Sequence, residues 1–264
     1  MNGIYRNNRK MILSASAVLL LFSVFLIACD GKSSEKTGNK ESESIENAKT
    51  KVPMPIRAEL FPSYLESAKG GDAEAQYQVG VCYRLGKGVK QDYAEGFKWF
   101  KKSAEQGFAA AQNNLGHCYF EGWGTQKNPA EGFKWLKKSA EQGDANAQNS
   151  LGYCYLDGRG TQKNPDEAVK WFKKAVENGD AHACVGLGRF YIKEHKNIDE
   201  AIKLFHQAAE KGDSSGYNLL GLYYEHGINV TKDMNEALKW YRLAADKGHH
   251  GAKSRLKKLE QAKK

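Results

Sequence analysis

The feature that most constrains the fold of this chain is a twelve-residue segment that occurs twice. The segment GTQKNPAEGFKW begins at Gly124, and GTQKNPDEAVKW begins 36 residues later, at Gly160. Aligning the chain on its Gly-Asp-Ala steps gives periods of 36, 36, 36, 33 and 36 residues, with units that start at Gly71, Gly107, Gly143, Gly179, Gly212 and Gly248. Repeats of this length are typical of solenoids, in which each unit buries its apolar face against the next. The sequence therefore predicts a stack of five full units and a partial sixth.

Each unit opens with the signals of an α-helix. Four units carry an aspartate directly after the glycine, as expected of a helix N-cap that follows a left-handed glycine: Asp72, Asp144, Asp180 and Asp213. Further along, all five units share a glycine, and a tyrosine follows it by three residues; the glycines are Gly80, Gly116, Gly152, Gly188 and Gly221. A glycine inside a helix costs about 1 kcal/mol relative to alanine. We therefore expect a neighbouring helix to approach closely there, with the tyrosine packing over the contact.

A glycine-rich loop follows, and then a second helix with its own start signal. Asn128-Pro129-Ala130-Glu131 is a variant of the capping box, in which the asparagine caps the helix and the glutamate can reach back. The same Asn/Asp-x-x-Glu pattern recurs at 92–95, 164–167, 197–200 and 233–236. One position of these helices carries a large apolar residue, which we interpret as shared core: Trp99, Trp135, Trp171, Leu204 and Trp240. Two helices in every unit predict an all-α solenoid of helical hairpins.

The repeat pattern is similar to that of a known family. Residues 145–179 read Ala-x-Ala-Gln, Leu-Gly-x-x-Tyr, Gly-x-Gly, Glu-Ala-x-Lys-Trp and then a closing glycine, and this pattern resembles the Sel1-like repeat. The resemblance implies an α/α superhelix related to the tetratricopeptide repeats, whose members mostly act as adaptors and bind a protein or peptide in a concave groove. The resemblance covers about residues 71–251. Together with the period, it predicts a solenoid over residues 56–264, with units at 71–106, 107–142, 143–178, 179–211 and 212–247 and a C-terminal cap at 248–264.

The N-terminus predicts export and a lipid anchor. Three basic residues precede an uncharged apolar run over residues 11–28, as in a secretory signal. The run ends in Leu26-Ile27-Ala28-Cys29, which resembles the lipobox of bacterial lipoproteins and implies lipidation of Cys29. An uncleaved signal anchor is the alternative. Residues 1–28 would then be a signal peptide and residues 29–55, which are polar, a flexible tether. Asp30 resembles the residue that retains lipoproteins in the inner membrane, which favours the periplasmic face of that membrane within the cell envelope.

Residues that vary between units are the candidates for recognition. On the first helices, the positions i, i+4 and i+7 form what we call the first-helix stripe: Tyr77, Val81, Arg84, Asn113, His117, Phe120, Asn149, Tyr153, Leu156, Val185, Arg189, Ile192, Asn218, Leu222 and Glu225. We predict partner-binding residues at Asn113, His117, Asn149, Tyr153, Arg189 and Asn218. The three asparagines resemble those with which tetratricopeptide relatives hold a peptide backbone. The alternative is an ordinary solvated helix face.

The sequence offers no catalytic constellation. None of the histidines has metal-ligand spacing, and no nucleophile or phosphate-binding motif is present, so we expect no cofactor and no enzyme activity. The net charge of +9 falls to +6 without the three basic residues of the signal. We expect no nucleic-acid partner, because the chain is predicted to be exported. Cys82, Cys118 and Cys154 recur at one position and are expected to be buried free thiols, too far apart for disulfides.

Two other functions stay open at this point. The cysteine-rich Sel1-like proteins of Helicobacter suggest a penicillin-binding or weak β-lactamase activity. In those relatives two cysteines eight residues apart form a bridge, but here Cys184 has Val176 in place of its partner, so the bridge is not expected. An immunity-like role, in which the solenoid inhibits an enzyme, is the third possibility.

Overall fold

The computed structural model describes residues 56–194 and 197–261, and within them it contains helices and no strands. A 3-10 turn at Ala58–Leu60 precedes twelve α-helices: α1 Phe61–Lys69, α2 Ala73–Leu85, α3 Tyr93–Glu105, α4 Ala109–Glu121, α5 Pro129–Glu141, α6 Ala145–Asp157, α7 Pro165–Glu177, α8 Ala181–Lys193, α9 Ile198–Glu210, α10 Ser214–His226, α11 Met234–Asp246 and α12 His250–Gln261. The all-α prediction is confirmed. The predicted signal, Cys29 and the tether lie outside the described residues.

The helices form five hairpins that pack in chain order. The even-numbered helices α2 to α10 are the first helices of the units, and each packs against the second helix that follows it. Each second helix also packs against the first helix of the next unit. At the ends, α1 occupies the place of a second helix and α12 that of a first helix. Of the helices described, none is both long and apolar enough to cross a bilayer.

The helix starts follow the sequence signals, with one exception and one correction. Asp144 accepts a hydrogen bond from the backbone N–H of Ala147 at 2.7 Å, and the other predicted aspartates cap in the same way. The second unit has Phe108 at this position, with no side-chain cap. The expected reach of the capping-box glutamate back to the cap residue is wrong. The N–H of Asp92 donates instead to the carbonyl oxygen of Tyr83 at 2.9 Å, and Glu95 pairs with Lys98 at 2.6 Å.

The five shared glycines face the second helix of their own hairpin. A Cβ atom on Gly152 would lie 2.7 Å from the ring of Phe172, well inside van der Waals contact, and the other four glycines are as crowded. The predicted close approach is therefore confirmed. The shared tyrosines have another role than expected, since they join neighbouring units: Tyr155 meets the ring of Phe133 in the preceding second helix edge-on, at 5.3 Å between ring centroids.

The tryptophans lie in clusters that join neighbouring units, and the residue after each one is the deeper core. Phe172 is fully buried, whereas its neighbour Trp171 keeps 8% of its surface exposed and the lysine one turn later, Lys174, covers the indole at 4.2 Å. Trp135 is only partly buried and packs on the cluster that contains Ala104 of the preceding second helix. The interpretation of this position as shared core is confirmed for Trp171 and Leu204, which are buried, while Trp135 packs against the core with part of its ring exposed. Successive residues of a helix point about 100° apart, so that one faces its own hairpin and the next faces the neighbouring unit.

Candidate protein-binding face

The predicted binding residues lie on the first helices, in the order of the units. Asn113 and His117 belong to α4, Asn149 and Tyr153 to α6, and Arg189 to α8, while Asn218 lies on α10. First helices of neighbouring units also contact each other directly, as α6 does with α8 and α8 with α10. The structure therefore brings the candidates into one row, each about a helix width from the next.

His117 bridges two units. Its Nε2 atom lies 3.5 Å from Oγ of Ser150, which belongs to the first helix of the next unit. Burial lowers the pKa of His117, and the positive charges of Arg159 and Arg84 act in the same direction while Glu121 opposes them. The imidazole is therefore neutral at pH 7, and its ring contributes to unit stacking as well as to the face.

Tyr153 is half packed and half free. Its ring meets the ring of Phe172 edge-on at 5.0 Å, and its hydroxyl lies above Gly186, where a Cβ atom would come within 2.9 Å of it. The rest of the side chain is open to solvent, and 36% of the surface of Tyr153 is exposed. Burial raises the pKa of Tyr153 and outweighs the opposite effect of the nearby Arg189 charge. The phenol therefore stays protonated and can donate a hydrogen bond.

The two asparagines Asn113 and Asn149 carry the least expected feature of this face. Within the described part of the chain, the Oδ1 atom of each is buried and accepts no hydrogen bond. The Nε atom of Arg84, also in the first-helix stripe, is a buried donor without an acceptor there. Buried polar atoms are nearly always paired, and an unpaired one costs about 1–3 kcal/mol. Sequence patterns pointed to the asparagines but gave no reason to select Arg84.

The stripe ends at an ion pair whose carboxylate is buried. Glu225, its last residue, is 5% exposed and accepts hydrogen bonds from Nε of Arg255 at 2.9 Å and from the hydroxyl of Tyr241 at 2.8 Å. Arg255 lies on α12, the C-terminal helix. The contact fixes that helix over the last unit and covers the final position of the stripe.

The cysteines are buried thiols and show no sign of reactivity. Cys82, Cys118, Cys154 and Cys184 are free, as predicted for the first three. Burial raises the pKa of Cys118 and of Cys154 to about 12. Val176 packs on the cluster that contains Cys184, so an apolar contact stands where the relatives have a bridge. Over residues 56–194 and 197–261, no three His, Cys, Asp or Glu side chains are grouped as a metal site would require.

Comparison with known families agrees with this geometry. The family model described as Sel1 repeat matches the chain five times, at residues 73–108, 109–144, 145–180, 181–213 and 214–249. The chain belongs to the Sel1 repeat family. Proteins of this family generally mediate protein–protein interactions, and the fold is generally a non-catalytic scaffold. No curated protein matches the sequence.

Solved structures of the Sel1 repeat family are similar to this chain. A Sel1 repeat protein from Oxalobacter formigenes is 32% identical, with a TM-score of 0.66 over 74% of this chain and 86% of that one. The protective antigen c5321 of uropathogenic Escherichia coli is 35% identical, with a TM-score of 0.62 over 76% of this chain. The match spans only 44% of c5321, less than half its length. The immunity protein Pa5087 of Pseudomonas aeruginosa, at 24% identity and a TM-score of 0.53 over 68% of this chain and 67% of that one, shares the fold alone.

Proposed function

We propose that this Sel1 repeat protein is an envelope adaptor that binds an extended protein segment along its first-helix stripe. The observation that carries the proposal is the pair of unpaired, buried Oδ1 atoms on Asn113 and Asn149. They occupy the same position in consecutive units, so a partner that follows the units meets the same group twice. A partner can reach these oxygens once each amide turns about its last side-chain torsion, and hydrogen bonds donated to both would then remove the cost of leaving them unpaired.

The spacing of the two atoms fits a polypeptide backbone. Neighbouring packed helices lie about 8–10 Å apart. Three residues of polyproline II chain span about 9 Å, and because this conformation has three residues per turn, residues i and i+3 face the same side. A backbone offers an N–H at each residue, so one segment can donate to Asn113 and, three residues on, to Asn149. The terminal NH2 groups of the Arg84 guanidinium, in the adjacent unit, can donate to a carbonyl oxygen of the same segment, and Tyr153 is 36% exposed beside it.

Membrane anchoring is the second part of the proposal and rests on the sequence. The lipobox-like Leu26-Ile27-Ala28-Cys29 supports attachment through a lipid on Cys29, and Asp30 favours the inner membrane with the solenoid facing the periplasm. A chain anchored in this way needs no membrane-spanning helix. Labelling of growing cells with a clickable fatty acid tests the anchor: Cys29→Ser should abolish incorporation, and persistent labelling would exclude this site.

The binding proposal is tested with leucine in place of the asparagines. Asn113→Leu/Asn149→Leu keeps the shape of the side chains and removes the unpaired oxygens, so the free protein should be at least as stable as the natural one. The partner is first identified by crosslinking in living cells, and its affinity for the purified variants is then measured. Loss of two hydrogen bonds at about 0.5–1.5 kcal/mol each predicts a complex that is weaker by about 5- to 150-fold.

The matched control is Asn235→Leu, which changes an exposed asparagine on α11 outside the stripe. This variant should bind the partner with unchanged affinity. Equal affinities of the natural protein and the double variant, with both folded, would show that the partner does not use the stripe.

A further inference from the structure

One cavity on the side of the second helices lies between the third and fourth units. It has a volume of about 420 Å³, and its lining comes from α7, α8 and α9: Lys173, Val176, Glu177, Leu187, Tyr191, Glu200, Leu204 and Gln207. Leu204 and Leu187 form a buried floor, with 5% and 3% of their surfaces exposed. We call this cavity the Leu204 pocket. Its two α8 residues, Leu187 and Tyr191, are not members of the first-helix stripe.

The other units show what occupies the equivalent place. Leu204 stands where Trp135, Trp171 and Trp240 stand in their units. Each of those indoles packs in a buried cluster that joins its own unit to the preceding one, and Trp240 also meets the ring of His206 at 5.6 Å between centroids. The chain thus fills this groove with its own aromatic ring at three other junctions and leaves it open at this one.

The residue that covers the indole has also changed. Lys138 lies 4.2 Å from the centre of the Trp135 ring and Lys174 lies 4.2 Å from that of Trp171, so each ring is closed off by an ammonium group. The fourth unit has Gln207 at this position, which is uncharged and exposed. Both the ring and its cover are therefore absent from the same groove. Val176 stands where the earlier units have an alanine. Its larger side chain fills part of the space but does not close the pocket.

From this comparison we infer that the Leu204 pocket receives an aromatic side chain of a protein partner, an indole or a phenol. The apolar floor of Leu187 and Leu204 matches the flat faces of such a ring. The carboxylates of Glu177 and Glu200 line the same pocket, and either can accept a hydrogen bond from an indole N–H or a phenol O–H at the edge of the ring. Aromatic anchors that enter such pockets commonly dominate the affinity of protein complexes. The site is separate from the stripe, so the inference holds whether or not the stripe binds a peptide.

The direct test uses N-acetyl-tryptophanamide as a probe for a tryptophan side chain in a polypeptide. Saturation-transfer NMR on the full-length protein should detect binding with a dissociation constant on the order of 1 mM, as expected for a ligand of this size. N-acetyl-leucinamide should bind at least tenfold more weakly. Absence of tryptophanamide binding at several times this concentration, or equal binding of the leucine analogue, would refute the inference.

A variant that fills the pocket locates the site. Val176→Ala/Leu204→Trp restores the alanine and tryptophan of the second unit, so the chain's own indole should enter the groove. We expect an unchanged or higher melting temperature and at least a tenfold loss of probe binding. Leu243→Trp is the matched control, because it adds an indole to an exposed position of α11, in the next unit, and should leave probe binding intact.

The remaining outcomes also decide the question. If the double variant unfolds at a lower temperature, Leu204→Phe repeats the test with a smaller ring and should weaken probe binding at least threefold. Probe binding that is unchanged in a folded filling variant would place the probe elsewhere and overturn the inference. The stripe variant Asn113→Leu/Asn149→Leu should bind the probe normally, which distinguishes failure at this pocket from failure at the stripe.

Discussion

Replacing Gly124 with alanine should destabilise the solenoid more than replacing Gly122, although both glycines lie in the same loop. Gly122 ends α4 with φ +77°, and Gly124 follows with φ +71°. An alanine in this left-handed region costs about 1–2 kcal/mol at either position. The conformational cost of the two substitutions is therefore nearly equal, and any difference must come from what the new methyl group meets.

The two methyl groups would meet different neighbours. At Gly122 the nearest atom is the side-chain Cγ of Lys127 at 3.0 Å, which can move aside. At Gly124 it is the backbone carbonyl oxygen of Tyr93 in the preceding unit, at 2.1 Å, with the carbonyl carbon at 2.6 Å. The contact holds two units together and can be relieved only by moving a backbone. Overpacking of this kind costs about 1–3 kcal/mol. The free energy of unfolding of Gly124→Ala should therefore be lower than that of Gly122→Ala by about this amount.

Thermal unfolding of the two variants, followed by circular dichroism at 222 nm, measures the difference. For a chain of this size, each kcal/mol lowers the melting temperature by about 2–4 °C. Gly124→Ala should therefore melt several degrees below Gly122→Ala, which itself melts below the natural protein. Equal melting temperatures would mean that the second glycine serves only to adopt a positive φ, and the proposed role of the loop in unit stacking would be wrong.

Two further predictions concern ionisable groups. The hydrogen bond from Arg255, together with that from Tyr241, holds the pKa of Glu225 below its usual value. Because this pKa is lower in the folded protein than in the unfolded chain, the stabilisation is fully present above the unfolded pKa. It is lost as the pH falls through the folded pKa. Thermal scans from pH 7 to pH 3 should therefore show a smaller acid-induced loss for Glu225→Gln than for the natural protein, and parallel curves would contradict the assignment. With a pKa of about 12, Cys118 and Cys154 should resist iodoacetamide in the native protein at pH 8 and react with it in urea. Mass spectrometry measures the labelling, and rapid labelling of the native protein would contradict their burial.

Local signals in the sequence were sufficient for the helices. The N-cap role of Asp144 depends on residues three positions away, and the mid-helix glycine at Gly152 repeats with the unit, so both could be inferred without knowing what lies across the contact. The capping-box glutamate was wrong for the complementary reason. The N–H that Glu95 was expected to satisfy already donates to the carbonyl oxygen of Tyr83, in the preceding helix, and no local pattern reports that bond.

The candidate face was predicted in part. The repeat comparison selected Asn113 and Asn149 because the residue at their position differs between units, whereas the core positions are constant. It could not show that their oxygens lack donors, since that depends on every atom around them after the units have stacked. It also could not show that His117 reaches Ser150 of the next unit, a contact across 33 residues of sequence.

The sequence by itself determined the helical hairpin, its period and the number of units, because helix caps, glycine positions and hydrophobic spacing act within a few residues of one another. Tertiary structure alone decided which side chain crowds Gly152, which oxygens on the stripe are left unpaired and whether Leu204 closes or opens a pocket. Those features arise between units, where the space that one side chain leaves is set by backbones and side chains more than thirty residues away.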